Sequence, residues 1–244
     1  MDENEHVTAG GLSRRGALAK LGGLAAAALG AGAWGAAALD GDVEAEAATG
    51  GPAGVASGAV TCILTPELTE GPYYIDGEKV RRNITDGKRG AKLLLRLTVV
   101  DASTCKAIKG AAVDIWHADA SGVYSGFGAG AGNRTFLRGI QRTDAAGLAV
   151  FQTIYPGWYP GRAVHIHLKV HVGGNVVHTG QLFFSDAMTD VVYKRSPYNK
   201  RPGREPRNTG DSIFVNGGKK SIVAVKSDGK GGYVGRLTMG VSRR

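Results

Sequence analysis

Histidine and tyrosine side chains concentrate in one short stretch of this 244-residue chain, which holds only six histidines in all. The stretch GWYPGRAVHIHLKVHV (157–172) contains Tyr159, Arg162, His165 and His167. Side chains alternate between the two faces of a β-strand, so the first two of its three histidines are expected on one face, about 7 Å apart along the backbone. Two imidazoles in this arrangement can share one metal ion.

Tyrosines are the best candidates for the remaining ligands of such a site. Tyr159 precedes His165 by six residues, and Tyr124 lies in GVYSGF, directly after a predicted strand. A phenol has an ordinary pKa near 10, so only a strongly Lewis-acidic ion would deprotonate it at neutral pH. Phenolate is a hard oxygen donor, and this ligand set favours Fe(III) over Zn(II) or Cu(I). A copper or zinc enzyme built on the His-x-His pair is the alternative.

Period-2 hydrophobic alternation predicts the strands that position these residues. KLLLRLTVV (92–100) places its leucines on one face and its polar residues on the other. Short strands separated by glycine-rich turns, without a long amphipathic helix, predict an all-β fold: a single antiparallel β-sandwich with long loops. Seven further strands are predicted: AAVDIWHAD (111–119), GIQRTD (139–144), LAVFQTI (148–154), RAVHIHLKVHV (162–172), NVVHTGQLFF (175–184), KSIVAVK (220–226) and GYVGRLTM (232–239).

Residues 1–47 are interpreted as an export signal. Arg14 and Arg15 stand directly before a weakly apolar Ala/Gly/Leu run, and AEA at 45–47 matches a small-x-small cleavage site. Paired arginines favour the twin-arginine route, which predicts a secreted protein. A membrane anchor is the alternative.

The rest of the chain divides into a linker and one domain. Residues 48–60 (ATGGPAGVASGAV) are small and are predicted to form a flexible linker, and residues 61–244 form the predicted β-sandwich domain. Cys62 and Cys105 are the only cysteines, and an even pair in an exported chain predicts a disulfide. Two metal-binding thiols are the alternative.

The charge of the chain is strongly basic. Its formal net charge is +9, and removal of residues 1–47 leaves 27 basic and 14 acidic residues, a net charge of +13. Such a charge suits anionic partners, although it also serves solubility alone. Six basic residues and three prolines occur in 193–207, which is predicted to be an exposed loop. A polyanion or cell-wall contact is considered for 194–207, and no nucleic-acid partner is expected.

Three segments together resemble a known enzyme family: WHADASGVYSGF (116–127), TIYPGWYPGRAVHIH (153–167) and TGQLFF (179–184). They are similar to the intradiol ring-cleaving catechol dioxygenases, most of all to the exported, single-domain branch of that family. The resemblance runs from about Cys62 to Phe214. It implies one non-haem Fe(III) per chain, bound by Tyr124, Tyr159, His165 and His167.

The resemblance also implies a reaction and further roles. Enzymes of this family use dioxygen to cleave a catechol-type ring between its two hydroxyl-bearing carbons, which gives cis,cis-muconate-type products. Tyr159 would leave the metal and accept a catechol proton, Arg162 would stabilise developing negative charge, and Gln181 would orient the substrate. The predicted substrate contacts are Gly71, Pro72, Tyr73 and Arg162.

The face on which Gln181 lies depends on the register of one hairpin. A turn made only of Gly173–Gly174 would pair His167 with Gly180 and would direct Gln181 away from the histidines. A loop longer by one residue pairs Gln181 with His167. We predict the second register.

The chain departs from the better-known intracellular members of the family near the site. Only Pro160 and Gly161 separate Tyr159 from Arg162, whereas those members have a longer insertion there. This difference implies an open pocket that accepts substituted catechols. The alternative function is a non-catalytic transthyretin-like or carbohydrate-binding β-sandwich module, which would explain the strands but not the tyrosines and histidines.

Overall fold

The structure is a computed structural model that describes residue 62, residues 64–128 and residues 130–243. The predicted export signal at 1–47 and linker at 48–60 lie outside the described residues. Within those ranges, no helix is both long enough and apolar enough to cross a membrane.

Every one of the eight predicted strands is present in the described part of the chain. The predicted and observed spans differ only at their ends. The strands are β1 (Lys92–Asp101), β2 (Ala112–Trp116), β3 (Arg138–Arg142), β4 (Leu148–Ile154), β5 (His165–Val172), β6 (Asn175–Phe183), β7 (Ala224–Ser227) and β8 (Tyr233–Val241).

These strands of the described residues form two four-stranded sheets, with the orders β4-β1-β8-β7 and β3-β2-β5-β6. The β1–β8 pair is parallel, with Leu93 opposite Tyr233 and Asp101 opposite Val241. The prediction of a purely antiparallel fold is therefore wrong at this pair. The chain builds the whole second sheet between β1 and β8, and so long a connection permits the parallel pairing that a tight hairpin forbids.

One cluster of buried side chains draws on both sheets. Leu93, Leu95 and Leu97 of β1 are fully buried, as the alternation in the sequence predicts, and Ile166 and Leu168 of β5 belong to the same cluster. Full burial of such a side chain contributes about 1.5–3 kcal/mol. Because this cluster takes up alternate residues of β5, the intervening residues of that strand must face the other side of the sheet.

The helices in the described residues are short. Helix α1 (Asp186–Tyr193) begins after Ser185, whose hydroxyl accepts a hydrogen bond from the Met188 amide at 3.2 Å. Helix α2 (Ser212–Val215) begins after Asp211, whose side chain accepts from the Ile213 and Phe214 amides. Three 3-10 turns occupy Tyr198–Lys200, Asn208–Gly210 and Gly218–Ser221.

The basic segment 193–207 is only partly exposed, so the prediction of an exposed loop is wrong for some of its residues. Tyr198 is buried and its hydroxyl donates to the Tyr155 carbonyl at 2.6 Å. Arg204 makes two ion pairs of 2.7 Å with carboxylates of α1. Burial of an aromatic ring and internal charge pairing therefore hold part of this segment against the domain.

Cys62 and Cys105 form a disulfide, as predicted, with their Cα atoms 5.4 Å apart. The alternative of two metal-binding thiols is excluded because each sulfur is bonded to the other. The bridge closes a loop with a sequence separation of 43 residues and ties the first described residue to the turn that follows β1.

Replacing both cysteines by alanine is expected to lower the free energy of unfolding by about 2–4 kcal/mol, because the bridge restricts the unfolded chain. Urea unfolding of the wild type and of the double variant, each with and without reductant, measures this difference. Reductant should destabilise the wild type and leave the double variant unchanged. Equal unfolding midpoints for the wild type and the double variant in the absence of reductant would contradict the prediction.

Candidate metal centre

Strand β5 brings His165 and His167 together on the face of its sheet opposite to the one that enters the buried cluster. Both side chains are buried, and their Nε2 atoms lie 3.0 Å apart. Trp116 lies opposite His167 on β2 and stacks on its ring, with centroids 5.1 Å apart and an interplanar angle of 6°. Strand pairing and this stack fix the direction of the His167 ring.

Two tyrosine hydroxyls reach the same point from different loops. The Tyr159 Oη is 3.1 Å and the Tyr124 Oη 3.5 Å from the Nε2 atom of His165. Tyr159 lies in the connection before β5, and Tyr124 in the loop after β2. Ligand atoms about 2.0–2.2 Å from a common ion lie about 3–3.5 Å from one another. The spacing of the four atoms is thus compatible with one bound ion.

The two imidazoles are neutral and can donate a lone pair. The Nδ1 atom of His165 is 2.6 Å from the Ala163 carbonyl and must carry the hydrogen, which leaves Nε2 free to face the cluster. Burial, together with the charge of Arg162, lowers the pKa of His165 to about 3. Burial, reinforced by His165, also holds the pKa of His167 well below its ordinary value. Its Nδ1 atom has no hydrogen-bond partner among the described residues.

The two phenols retain their protons unless a strong Lewis acid binds. Burial raises the pKa of Tyr124 well above its ordinary value. Burial also raises the pKa of Tyr159, although the neighbouring Arg162 charge opposes this shift. The described residues contain no group of three or more His, Cys, Asp and Glu side chains that could hold a metal. A metal bound here would therefore depend on phenol oxygens, which suit a hard ferric ion better than Zn(II) or Cu(I).

Arg162 and Gln181 border the same cluster. The Arg162 Nη1 atom lies 3.5 Å from His165 Nε2, and its Nη2 atom donates to the Gln181 side-chain oxygen. The Gln181 amide nitrogen donates in turn to the Thr69 carbonyl at 2.8 Å. A cation and an amide thus lie beside the four candidate ligands.

The hairpin register predicted for Gln181 is confirmed, but the turn differs. Gln181 pairs with His167, as predicted. Val172 pairs with Asn175, so the turn contains only the two glycines, and the register shifts by one residue at an irregularity beside Val170. The predicted three-residue loop is therefore wrong. A β-bulge inserts one residue into a strand and has the same effect on the register as a longer turn.

The Gly-Pro loop predicted to contact substrate covers the cluster. Tyr73 stacks on Tyr124 with ring centroids 4.3 Å apart, and its ring lies edge-on to Tyr159 at 6.0 Å. Pro72 is exposed. Gly71 has a φ of +74°, and a Cβ atom built on it would lie 2.9 Å from the His167 ring. The close approach of this loop to the ring therefore requires glycine.

Gly71→Ala is expected to lower the bound iron per chain, because the added methyl group must displace the His167 ring. The matched control is Gly77→Ala in the same segment, where φ is +77° and a Cβ atom meets nothing within 4 Å. Both variants should lose about 1–2 kcal/mol of stability from the left-handed backbone. Only Gly71→Ala should lose iron after identical ferric reconstitution and metal analysis. Equal iron contents in the two variants would show that the contact is unimportant.

Two buried residues that border the cluster were not predicted from the sequence. Asp211 accepts hydrogen bonds from Arg162 at 2.9 Å and from the Ala163 amide at 2.8 Å, from a position 49 residues after Arg162. Arg138 donates to the Ser125 hydroxyl and carbonyl, directly beside Tyr124. The Asp-Ser-Ile-Phe pattern marks Asp211 as a helix N-cap, but no local signal connects either residue to the site.

A polar cleft of about 410 Å³ borders the loop that follows β2. It is lined by residues of the 86–88 and 119–136 segments, and none of the four candidate ligands borders it. Lys88 and Asp119 form an ion pair of 2.7 Å in its wall. The cleft is therefore a separate feature from the candidate metal centre.

This arrangement agrees with comparisons to known proteins. A family model described as Dioxygenase matches residues 69–194. The structure of an intradiol ring-cleavage dioxygenase from Tetranychus urticae is 40% identical, covers 74% of this chain and 95% of that chain, and has a TM-score of 0.71. The dioxygenase domain of a dioxygenase–carbohydrate-binding protein fusion from Streptomyces sp. SirexAA-E is 32% identical, with coverages of 73% and 98% and a TM-score of 0.57. The chain belongs to the intradiol ring-cleavage dioxygenase family.

Curated relatives match a shorter part of the chain. Catechol 1,2-dioxygenase of Acinetobacter baylyi is 37% identical over 142 residues, which are 48% of this chain and 45% of that protein. The chain spans less than half the length of the curated relatives it matches. Family membership disfavours the non-catalytic sandwich module considered from the sequence.

Proposed function

We infer that this protein is a non-haem Fe(III)-dependent intradiol dioxygenase that cleaves catechol-type rings between the two hydroxyl-bearing carbons. Convergence of two phenol oxygens and two imidazole nitrogens supports this function more than any other observation. Tyr159 and His167 each present one of these atoms within 3.1 Å of the His165 Nε2 atom, and Tyr124 does so at 3.5 Å. In this proposal Tyr124, Tyr159, His165 and His167 hold one ferric ion per chain.

The division between buried and accessible ligands indicates how substrate enters. Tyr124 and both histidines are buried, whereas Tyr159 and Arg162 are half-buried and the two residues between them are exposed. Substrate therefore approaches from the Tyr159–Arg162 side. Tyr159 is the ligand with room to move, and its oxygen is the base that accepts a catechol proton.

The remaining side chains bind and polarise the substrate. A ferric ion held by these four residues would supply the Lewis acidity that activates a catechol toward dioxygen. Arg162 directs Nη1 into the site and stabilises negative charge that develops on the substrate. Gln181 orients the substrate through its amide. Gly71, Pro72 and Tyr73 form the wall of the pocket, in which the Tyr73 ring packs against the aromatic substrate.

The overall reaction joins a catechol with one dioxygen molecule. The carbon–carbon bond between the hydroxyl-bearing carbons breaks, and both oxygen atoms of dioxygen enter a cis,cis-muconate-type product. No external reductant is needed. The open entrance and the short Tyr159–Arg162 connection support a substrate range that includes substituted catechols.

Turnover of the ferric protein with a panel of catechols tests this function directly. We expect a red-brown protein, because tyrosinate-to-Fe(III) charge transfer absorbs visible light, and muconate-type products that carry both labelled atoms of ¹⁸O₂ by mass spectrometry. A colourless protein with full iron occupancy, or ring cleavage outside the two hydroxyl-bearing carbons, would refute the proposal.

We propose that the two sheets pack face to face as a β-sandwich. The buried cluster that draws on both sheets supports this architecture.

We also propose that the enzyme is secreted. Arg14, Arg15 and the AEA sequence support export by the twin-arginine route. The exposed basic residues of 194–207 support a polyanion or cell-wall contact. Amino-terminal sequencing of protein from culture medium tests export.

A further inference from the structure

We propose that Asp211 is a positioning residue that holds both Arg162 and His165 in their active geometry. This inference rests on the proposed function of the metal centre and deepens it. The hydrogen bonds of the Asp211 side chain go to Arg162, Ala163, Ile213 and Phe214, and to none of the four candidate ligands. Asp211 acts through one arginine and one backbone segment.

The two carboxylate oxygens of Asp211 have separate tasks. Oδ1 accepts hydrogen bonds from the Ile213 and Phe214 amides at 2.8 and 3.2 Å and so caps α2. Oδ2 accepts from Arg162 Nε at 2.9 Å and from the Ala163 amide at 2.8 Å. One oxygen therefore serves the fold and the other serves the site.

The Oδ2 contacts lead to the metal centre by two routes. In the first, Arg162 is oriented by Asp211, directs Nη1 toward His165 and donates from Nη2 to Gln181. In the second, Ala163 is held through its amide, and its carbonyl accepts from His165 Nδ1 at 2.6 Å. An acceptor on Nδ1 fixes both the tautomer and the ring direction of a metal-ligating histidine.

The first route continues to the loop that covers the substrate pocket. Because Arg162 donates to the Gln181 oxygen, the Gln181 amide nitrogen must face the other way, where it donates to the Thr69 carbonyl at 2.8 Å. Thr69 stands two residues before Gly71, where an added Cβ atom would lie 2.9 Å from the His167 ring. A single buried carboxylate thus anchors a chain of hydrogen bonds around one side of the site.

Burial strengthens this linkage. Asp211 is 1% exposed, and its ion pair with Arg162 is largely withdrawn from water. Hydrogen bonds to a charged acceptor are stronger than bonds between neutral groups. Burial alone would raise the pKa of Asp211, but the hydrogen bonds from the Ala163 and Phe214 amides and from Arg162, together with the Arg162 charge, keep it below its ordinary value.

Asp211→Asn separates the two tasks. The asparagine oxygen still caps α2, because Asn is as good an N-cap as Asp. Its NH₂ group replaces Oδ2 and cannot accept from Arg162 or from the Ala163 amide. We expect kcat with a catechol, counted per folded and iron-loaded chain, to fall about ten- to a hundredfold with little change in KM. The urea unfolding midpoint should also fall, because Arg162 and the Ala163 amide lose a buried acceptor. Asp144→Asn is the control, since Asp144 uses only Oδ1 to accept from two backbone amides in an exposed turn.

Introducing Asp211→Asn into an Arg162→Met variant tests whether Asp211 acts through Arg162. In Arg162→Met, Asp211→Asn should lower kcat far less than in the wild type, because the first route is already broken. An equal loss of kcat in both backgrounds, or a kcat unchanged by Asp211→Asn, would overturn the proposal. A loss of activity that disappears when kcat is counted per folded, iron-loaded chain would also overturn it.

Crystal structures of the wild type and Asp211→Asn separate this inference from the proposed function. We expect the Arg162 guanidinium to leave Gln181 in the variant. An unmoved guanidinium and an unmoved His165 ring would overturn the positioning role, whatever the activity. If the wild type turns over no catechol, the proposed function fails, and these two structures alone decide whether Asp211 holds the site.

Discussion

His165→Ala is expected to lower the affinity for ferric iron by at least about a hundredfold and to abolish turnover with it. His165 is the centre of the candidate site, because the Tyr159, Tyr124 and His167 atoms all lie within 3.5 Å of its Nε2 atom. Its removal leaves two phenols whose pKa is raised by burial and one imidazole. Iron content after reconstitution and dialysis, together with muconate formation, measures the effect.

His171→Ala is the matched control for that variant. His171 lies on the same strand but is only half-buried, near the hairpin turn. The control should retain iron, colour and turnover. A His165→Ala protein with one tightly bound ferric ion per chain would rule out the proposed ligand set.

Arg138→Met is expected to cost about 3–5 kcal/mol of stability at pH 8, because it removes the cation from a buried charge cluster. Arg138 is 1% exposed and lies 3.7 Å from the Glu78 carboxylate. The Asp114 carboxylate is buried on the adjacent strand, and neither of its oxygens has a hydrogen-bond partner among the described residues. The variant leaves both carboxylates without this compensating charge.

The loss of stability caused by Arg138→Met should be smaller at pH 5 than at pH 8, because the neighbouring carboxyl groups are protonated at the lower pH. Burial, with a contribution from Glu78, raises the pKa of Asp114 from 3.8 to about 7, and burial also raises the pKa of Glu78. A raised folded-state pKa contributes stability that is complete below the unfolded pKa and is lost as the pH rises through the folded pKa. Without Arg138 these pKa values rise further, so at pH 5 the carboxyls take up protons and the lost charge matters less.

Urea unfolding of wild type and variant at pH 5 and pH 8 measures this difference. Arg142→Met on the same strand is the control, since Arg142 is exposed and should show a small, pH-independent change. A cost for Arg138→Met that is equal at the two pH values would show that Asp114 and Glu78 do not depend on this arginine.

The sequence alone predicted the strands and the central chemistry because both depend on local patterns. Alternation of apolar residues fixes which side of a strand enters the core, and it therefore fixed the shared face of His165 and His167. Tyr124 and Tyr159 were predicted from their residue type and their motif. The register that pairs Gln181 with His167 was predicted by way of a three-residue turn, but an irregularity beside Val170 produces it instead.

Only the tertiary structure decided how distant parts of the chain meet. The parallel β1–β8 pair and the Asp211–Arg162 ion pair join residues that are far apart in sequence. The bulge in the β5–β6 hairpin changes the register that its two-residue turn alone would give. A local pattern reports which face a residue presents, but it carries no information about which remote segment covers that face. That choice depends on packing and on pairing of buried charges, and these exist only once the chain has folded.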